Sequence, residues 1–285
     1  SKATYEYVAA HHIQSILPRS GSVSGSTLVS ITGTDFKNTS GLFCRFGTLE
    51  PIKGTFVSKT LIQCLSPSNG AGIVSVEVTT NGADYSEDMV QYRYFASPAI
   101  SHVIPSSGPT EGGTVVSVYG RNFVDSDTLY CRFGNSTSVL GRWISGDRIE
   151  CTTPPMVAGD IVISMTNNGV DYTTTNSTFM VLPESEVSKV SPTFGPVGTS
   201  TAVTVQGTGF VFSRSLYCRF GLSAVAAMYV NETTVVCTAP DIPAGVVNVT
   251  VSSNGVDYSS SKATYEYVAA HHIQSILPRS GSVSG

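Results

Sequence analysis

Short runs of alternating apolar and polar residues recur along this chain at a fixed step. Val29 and Ile31, Val116 and Val118, and Val203 and Val205 flank single polar residues in runs that end near Gly33, Gly120 and Gly207. Further on, Val74, Val76 and Val78 alternate with Ser75, Glu77 and Thr79. Ile161, Ile163 and Met165, then Val247, Val249 and Val251, keep that inward set. A period of two with one polar face predicts antiparallel strands with one side wet. Asn81-Gly82, Asn168-Gly169 and Asn254-Gly255 follow these runs, and Asn-Gly is a strong short-hairpin signal. Closing strands are expected over 89–95, 178–182 and 264–268. No stretch holds a helical period. About seven short strands per copy, with turn signals roughly every ten residues, predict an all-β protein of sandwich units.

The step itself is exact in places. Cys44, Cys131 and Cys218 each open a Cys-Arg-Phe-Gly segment, 87 residues apart. Pro18, Pro105 and Pro192, Gly21, Gly108 and Gly195, and Phe36, Phe123 and Phe210 keep the same step. One residue is missing between Cys218 and Cys237, so the third period is 86. Residues 1–25 return letter for letter as 261–285. The chain therefore reads as a window on something periodic. Its expected organisation is a closing strand of a preceding unit (1–10), three units (11–97, 98–184 and 185–270), and the opening strand of a next one (271–285). Only four residues (96–99, 183–186 and 269–272) separate closing and opening strands, twice with a proline. Such linkers are too short to be loose tethers, so the sandwiches are expected end to end, as a rod.

Composition narrows the function. Lys and Arg number 16 against 20 Asp and Glu, a net charge of −4. That balance offers no phosphate-neutralising patch and argues against nucleic acid. No run of about 18 apolar residues is present to span a membrane. Ser and Thr supply about a quarter of the chain and Gly 27 positions, a composition of exposed strands and turns. A unit of this size buries only a modest core. Each unit carries two cysteines: Cys44 and Cys64, Cys131 and Cys151, Cys218 and Cys237. Near-equal spacing in every copy reads as one disulfide per unit, worth roughly 3 kcal/mol; unpaired buried thiols are the alternative. Zinc would need clustered ligands that are absent. Disulfides imply an oxidising, extracellular compartment, by secretion or at a cell surface.

Several motifs now converge. They are Ile13-x-x-x-x-Pro18-x-x-Gly21, Gly112-x-Thr114-x-Val116-x-Val118-x-Gly120-x-x-Phe123, Cys-Arg-Phe-Gly, a second cysteine, and Asn81-Gly-x-x-Tyr85-Ser. Together they resemble an IPT/TIG domain, and the resemblance covers all three units. The third departs slightly, with Ser200-Thr201 in place of Gly-Thr and Thr193-Phe194 before Gly195. The resemblance implies an immunoglobulin-like sandwich, shared by plexins, receptors of the Met type and some transcription factors. It implies function only loosely.

No catalytic set stands out, so an enzyme is not expected, nor a cofactor. His11-His12 recurs as His271-His272; neighbours on a strand face opposite ways, which suits a solvated joint better than a metal. Asp125-Ser126-Asp127 resembles half a calcium loop but has acidic counterparts in neither other unit, and Glu184 and Glu186 are the only nearby carboxylates at a joint. No metal site is expected. Asp84, Asp171 and Asp257 are read as caps of their own turns. Arg45, Arg132 and Arg219 should face away from the core, opposite the Cys and Phe beside them. Trp143 shares its offset with Phe56 and Tyr229, as a core or rim aromatic. With Arg142 and Arg148 it is also the best candidate for a ligand contact. Asn38, Asn135, Asn176, Asn231 and Asn248 open Asn-X-Ser/Thr sequons, expected to carry N-linked glycans in a secreted eukaryotic protein. These features point to a structural repeat of an extracellular fibre or giant cell-surface protein, with identical units as partners. The alternative is a protein- or carbohydrate-binding module of an adhesion or receptor ectodomain.

Overall fold

The computed structural model describes residues 10–135, 138–174 and 177–269. The two terminal segments, His271-His272 and Asn176 lie outside the described residues. Every regular element among the described residues is a strand. Contacts group the chain into two compact bodies. Among the described residues, one holds the first repeat with 98–104, 115–154 and 161–178 of the second, and the other holds 105–114, 155–160 and 179–184 of the second with the third repeat.

In the first body, the first repeat is a two-sheet sandwich. Four strands, in the order His12–Leu17, Leu28–Thr34, Leu61–Leu65 and Thr55–Ser58, form one sheet. Five form the other: Ser20–Ser22, Val90–Phe95, Gly72–Thr79, Phe43–Phe46 and Ile52–Lys53. The alternating set points inward, and Val29, Ile31, Val76 and Val78 are fully buried with Phe36, Phe46, Ile62, Tyr92 and Tyr94. Each such side chain contributes about 1.5–3 kcal/mol by leaving water. Phe46, Tyr92 and Tyr94 meet edge to face with centroids 5.0–6.5 Å apart. Cys44 on one sheet is bonded to Cys64 on the other, with Cα atoms 6.5 Å apart. The second repeat's Cys131–Cys151 bridge, also in this body, has the same span, 6.3 Å.

The third repeat, in the second body, repeats this plan around Val203, Val205, Phe210, Phe220, Val249, Val251, Tyr265 and Tyr267, with Cys218 bonded to Cys237. One difference follows from the missing residue. The first repeat breaks its chain between Ile52–Lys53 and Thr55–Ser58 at Gly54, and the second breaks at Gly141. In the third, Ala227 takes that place, the preceding turn tightens to pair Phe220 with Ser223, and one strand, Ser223–Asn231, runs unbroken between both sheets.

Two expectations change. The sheets are not wholly antiparallel: Ser20–Ser22 pairs parallel with Val90–Phe95, and Phe194–Pro196 with Thr264–Val268. A three-residue strand after a proline carries no alternation for a sequence to reveal. The Asn-Gly pairs also do not make two-residue hairpins. Pairing of Gly72–Thr79 with Val90–Phe95 stops at Val76↔Val90, and a longer connection holds the Asn-Gly. Gly33, Gly120 and Gly207 mark a close approach, where a Cβ would collide with the backbone carbonyls of His12, Ala99 and Glu186. Each first strand bulges just there, at Ile13/Ser15, Ile100/His102 and Val187/Lys189.

Candidate functional site

The connection after each Asn-Gly is built on the asparagine side chain. Asn81 Oδ1 accepts from the amides of Ala83 (3.0 Å) and Asp84 (2.9 Å), while its Nδ2 donates to Asp84 Oδ2 at 2.8 Å. The glycine between them sits at φ 79°, a conformation that side chains disfavour. The same three bonds recur at Asn168–Asp171, at 3.1, 2.9 and 2.8 Å, and at Asn254–Asp257, at 3.0, 2.8 and 2.7 Å. So the asparagine caps the turn, and the aspartate does not. With its carbonyl spent on two amides, the asparagine has an NH2 to offer, and the aspartate accepts it.

The aspartate's carboxylate then does something no single repeat requires. Thr27 Oγ1, in the first repeat, donates to Asp171 Oδ2 of the second at 2.6 Å, and Asn168 Nδ2 also reaches the Ser20 carbonyl at 2.9 Å. In the second body the pair recurs one step on. Thr114 Oγ1 donates to Asp257 Oδ2 at 2.7 Å, and Asn254 Nδ2 to the Ser107 carbonyl at 2.8 Å. Thr27 and Thr114 are both 0% exposed, and Asn168 is buried. Gly21 makes room for this seat, since a Cβ there would run into Thr27 Oγ1 and the Tyr92 hydroxyl. Burial pushes the Tyr92 phenol above its ordinary value of 10.0. The linker is tied as well. Asn122 Nδ2 donates to the Ser97 carbonyl at 2.8 Å, and Ser97 Oγ lies 2.6 Å from Ser22 Oγ. Only three residues separate Phe95 from Ala99, and three separate Leu182 from Glu186.

The outward arginines also have a partner. The guanidiniums of Arg45, Arg132 and Arg219 lie 3.9, 3.8 and 3.9 Å from the ring centroids of Tyr85, Tyr172 and Tyr258. Each tyrosine directly follows the loop aspartate, so the arginine strand braces the loop that docks. Arg45 is also ion-paired with Glu77. Neither the threonine seat nor this stack was read from the sequence. The signal was there, in Thr27, Thr114 and Thr201 and in the arginine and tyrosine positions keeping the common step.

The remaining candidates scatter. Trp143 stands in register with the buried Ile149 and is 39% exposed, with its indole N–H on the Phe123 carbonyl at 3.2 Å. Arg142 and Arg148 both pair with Glu150, and the Arg142 contact chiefly holds that carboxyl below its usual range. On the same outer face, His102 stacks on Tyr119 with centroids 4.7 Å apart. Asn38, Asn135, Asn231 and Asn248 are exposed and lie on separate elements. His11 reaches the Val78 carbonyl at 2.7 Å, whereas His12 pairs with Asp88 at 3.0 Å, so the two do not converge. No grouping of three or more His, Cys, Asp or Glu suited to a metal occurs among the described residues, and no helix there is long and apolar enough to cross a membrane.

A recurring sandwich with a recurring joint is the pattern of a domain family, and the model of the IPT/TIG domain matches three times, over residues 12–94, 98–181 and 185–267. The chain belongs to the IPT/TIG family. Its TIG repeats are similar to fibrocystin-L of Mus musculus, 26% identical over 99% of this chain, and to plexin-A3 of Mus musculus, 27% identical over 81%. The chain spans only 7% and 13% of those two proteins. Among solved structures, the plexin A4 extracellular region aligns with a TM-score of 0.45 at 18% identity, covering 87% of this chain and 23% of that one. These TIG repeats are immunoglobulin-like, and with one disulfide each they are extracellular.

Proposed function

We propose that this chain is a stretch of a receptor- or adhesion-type ectodomain, in which TIG repeats hold a partner-binding surface at a set distance and have no catalytic role. The observation that carries this reading is the joint. The same Thr–Asp and Asn–carbonyl pair closes the junction of repeats one and two and that of repeats two and three. A chain whose junctions are built this way transmits position, which a spacer or receptor stalk needs. The outer face of the second repeat, where Arg142 and Arg148 stand with His102 and Tyr119 while Trp143 turns to the Ile149 side, is the surface we assign to a protein partner. The test of the spacer is backbone 15N relaxation on the full chain. Thr27→Val with Thr114→Val should shorten the correlation times of the repeats towards those of independent domains; unchanged values would sink the reading. For the surface, pull-down from an extracellular protein library should weaken on Arg142→Ala, whose side chain is exposed on that face, while melting is unchanged.

The return of residues 1–25 at 261–285 favours a second reading, a structural array in an extracellular fibre or giant surface protein, coated with N-linked glycans on its exposed asparagines. Glycans there would shield sheet edges from pairing with other chains. Electron micrographs of the native assembly distinguish the two: filaments support the array, separate particles the receptor.

A further inference from the structure

The first repeat has a groove between two strand edges that its sandwich leaves without neighbours. His12–Leu17 is the outermost strand of its sheet. Val90–Phe95, in the other sheet, pairs with Ser20–Ser22 on that side, but only from Arg93 onward. Between these edges lies a cleft of about 400 Å³, lined by Gln14, Ile16 and Arg19 on one side and by Ile73, Gln91 and Arg93 on the other. No carboxylate is among the described residues that line it. The two arginines stand side by side, because the Arg93 amide donates to the Arg19 carbonyl at 3.0 Å, and both are exposed. Arg45, Arg142 and Arg148 pair with carboxylates, and Arg132 and Arg219 lie over tyrosine rings. Among the described residues, Arg19 and Arg93 have no such ion pair or ring. Two like charges held together repel, and an anion between them turns that repulsion into attraction.

The other repeats share the geometry and not the charge. The same backbone bond joins Met180 to Ser106 and Glu266 to Thr193, both at 2.9 Å. In the second repeat neither position is charged, and Asp160 stands where the first has Ile73. In the third, Glu266 replaces Arg93, and Lys189 stands at the register position of Ser15 with the opposite sign.

We propose that the groove of the first repeat takes an extended acidic peptide of a protein partner, which adds as a strand along His12–Leu17 and sets its carboxylates against Arg19 and Arg93. The charge selects an anion. The open edges select a peptide, because an edge strand offers a row of backbone donors and acceptors that another chain can pair. An anionic polysaccharide would meet the guanidiniums but has no amide ladder for the edge. Side chains of a strand alternate, so acids at every second position all reach one side of the groove. A guanidinium grips a carboxylate through two parallel bonds, which fixes the register of the added strand. Ile73, 61% exposed, gives the apolar residues between the acids a contact at the rim. This site is separate from the joints and from the second-repeat surface, and it stands or falls independently of both.

The probe is a fluorescein-labelled nine-residue peptide alternating glutamate with threonine, titrated with the full chain and read by fluorescence anisotropy. It should bind, more weakly as salt rises, while the glutamine counterpart should not. Arg19→Ser with Arg93→Met installs the residues that the second repeat carries in the same backbone geometry, so the fold should survive, and circular dichroism melting checks that. The pair should weaken binding about tenfold or more, as loss of hydrogen bonds to charged groups does. Methylating alternate peptide amides should also weaken it about tenfold, since strand pairing needs them. Equal binding to the double variant, or of the methylated peptide, overturns the proposal. So does a heparin oligosaccharide that binds through the two arginines while the peptide does not, for then the occupant is a sugar.

Discussion

Thr27 and Asp171 lie 144 residues apart and share a 2.6 Å hydrogen bond, buried on the threonine side. The contact joins two repeats, so its energy goes into their junction. Asp171→Ala removes the acceptor for Thr27 and for Asn168 Nδ2 together. We expect about 2 kcal/mol less coupling between the repeats. The readout is hydrogen exchange, with faster exchange of amides around Ser20 and Thr27 and unchanged protection of the Val29 and Val76 strands. Slower or unchanged exchange at Thr27 would contradict the assignment.

Each disulfide ties one sheet of a sandwich to the other across a loop of about twenty residues. Reduction, or Cys44→Ala with Cys64→Ala, should lower the stability of that repeat by about 3 kcal/mol. Denaturant unfolding with and without reductant measures it. In the Cys44→Ala/Cys64→Ala variant the other two repeats should keep their midpoints, whereas reductant should lower all three.

Asp88 contributes a pH dependence. Burial pushes its carboxyl up, but the Ile13 amide at 2.6 Å and His12 at 3.0 Å outweigh that and leave it below its ordinary value of 3.8. The folded state thus favours the charged form. The stabilisation is complete above pH 3.8 and is lost as pH falls through the lowered value. Thermal melting of wild type against Asp88→Asn should show a gap at neutral pH that closes in strong acid. A gap constant to pH 2 would refute the role.

The arginine–tyrosine stack predicts an order among substitutions. Tyr258→Phe keeps the ring and should be nearly silent, whereas Tyr258→Leu should cost about 1 kcal/mol. Melting of the third repeat reads this out. Equal effects would mean that the ring face over Arg219 is not the source.

The four described sequon asparagines are all exposed. Secreted from eukaryotic cells, the chain should lose mass on glycosidase treatment, with one step removed by each of Asn38→Gln, Asn135→Gln, Asn231→Gln and Asn248→Gln. A mass equal to that of the bare polypeptide would exclude glycans there.

Alternation determined the longer strands, because Val29 and Ile31 and their copies can bury one face only in an extended chain. The spacing of Cys44 and Cys64 and the step of 87 residues determined three like units. Such signals are local or periodic, so they survive in a string of letters. The sequence left open where each polar loop residue is satisfied. Asp84, Asp171 and Asp257 look alike as letters and occupy identical turns, yet only two meet a threonine, because only tertiary structure brings a seat from another repeat within reach. The parallel pairing of Ser20–Ser22 was hidden for the same reason. Three residues have no period, and their partner lies some seventy positions away.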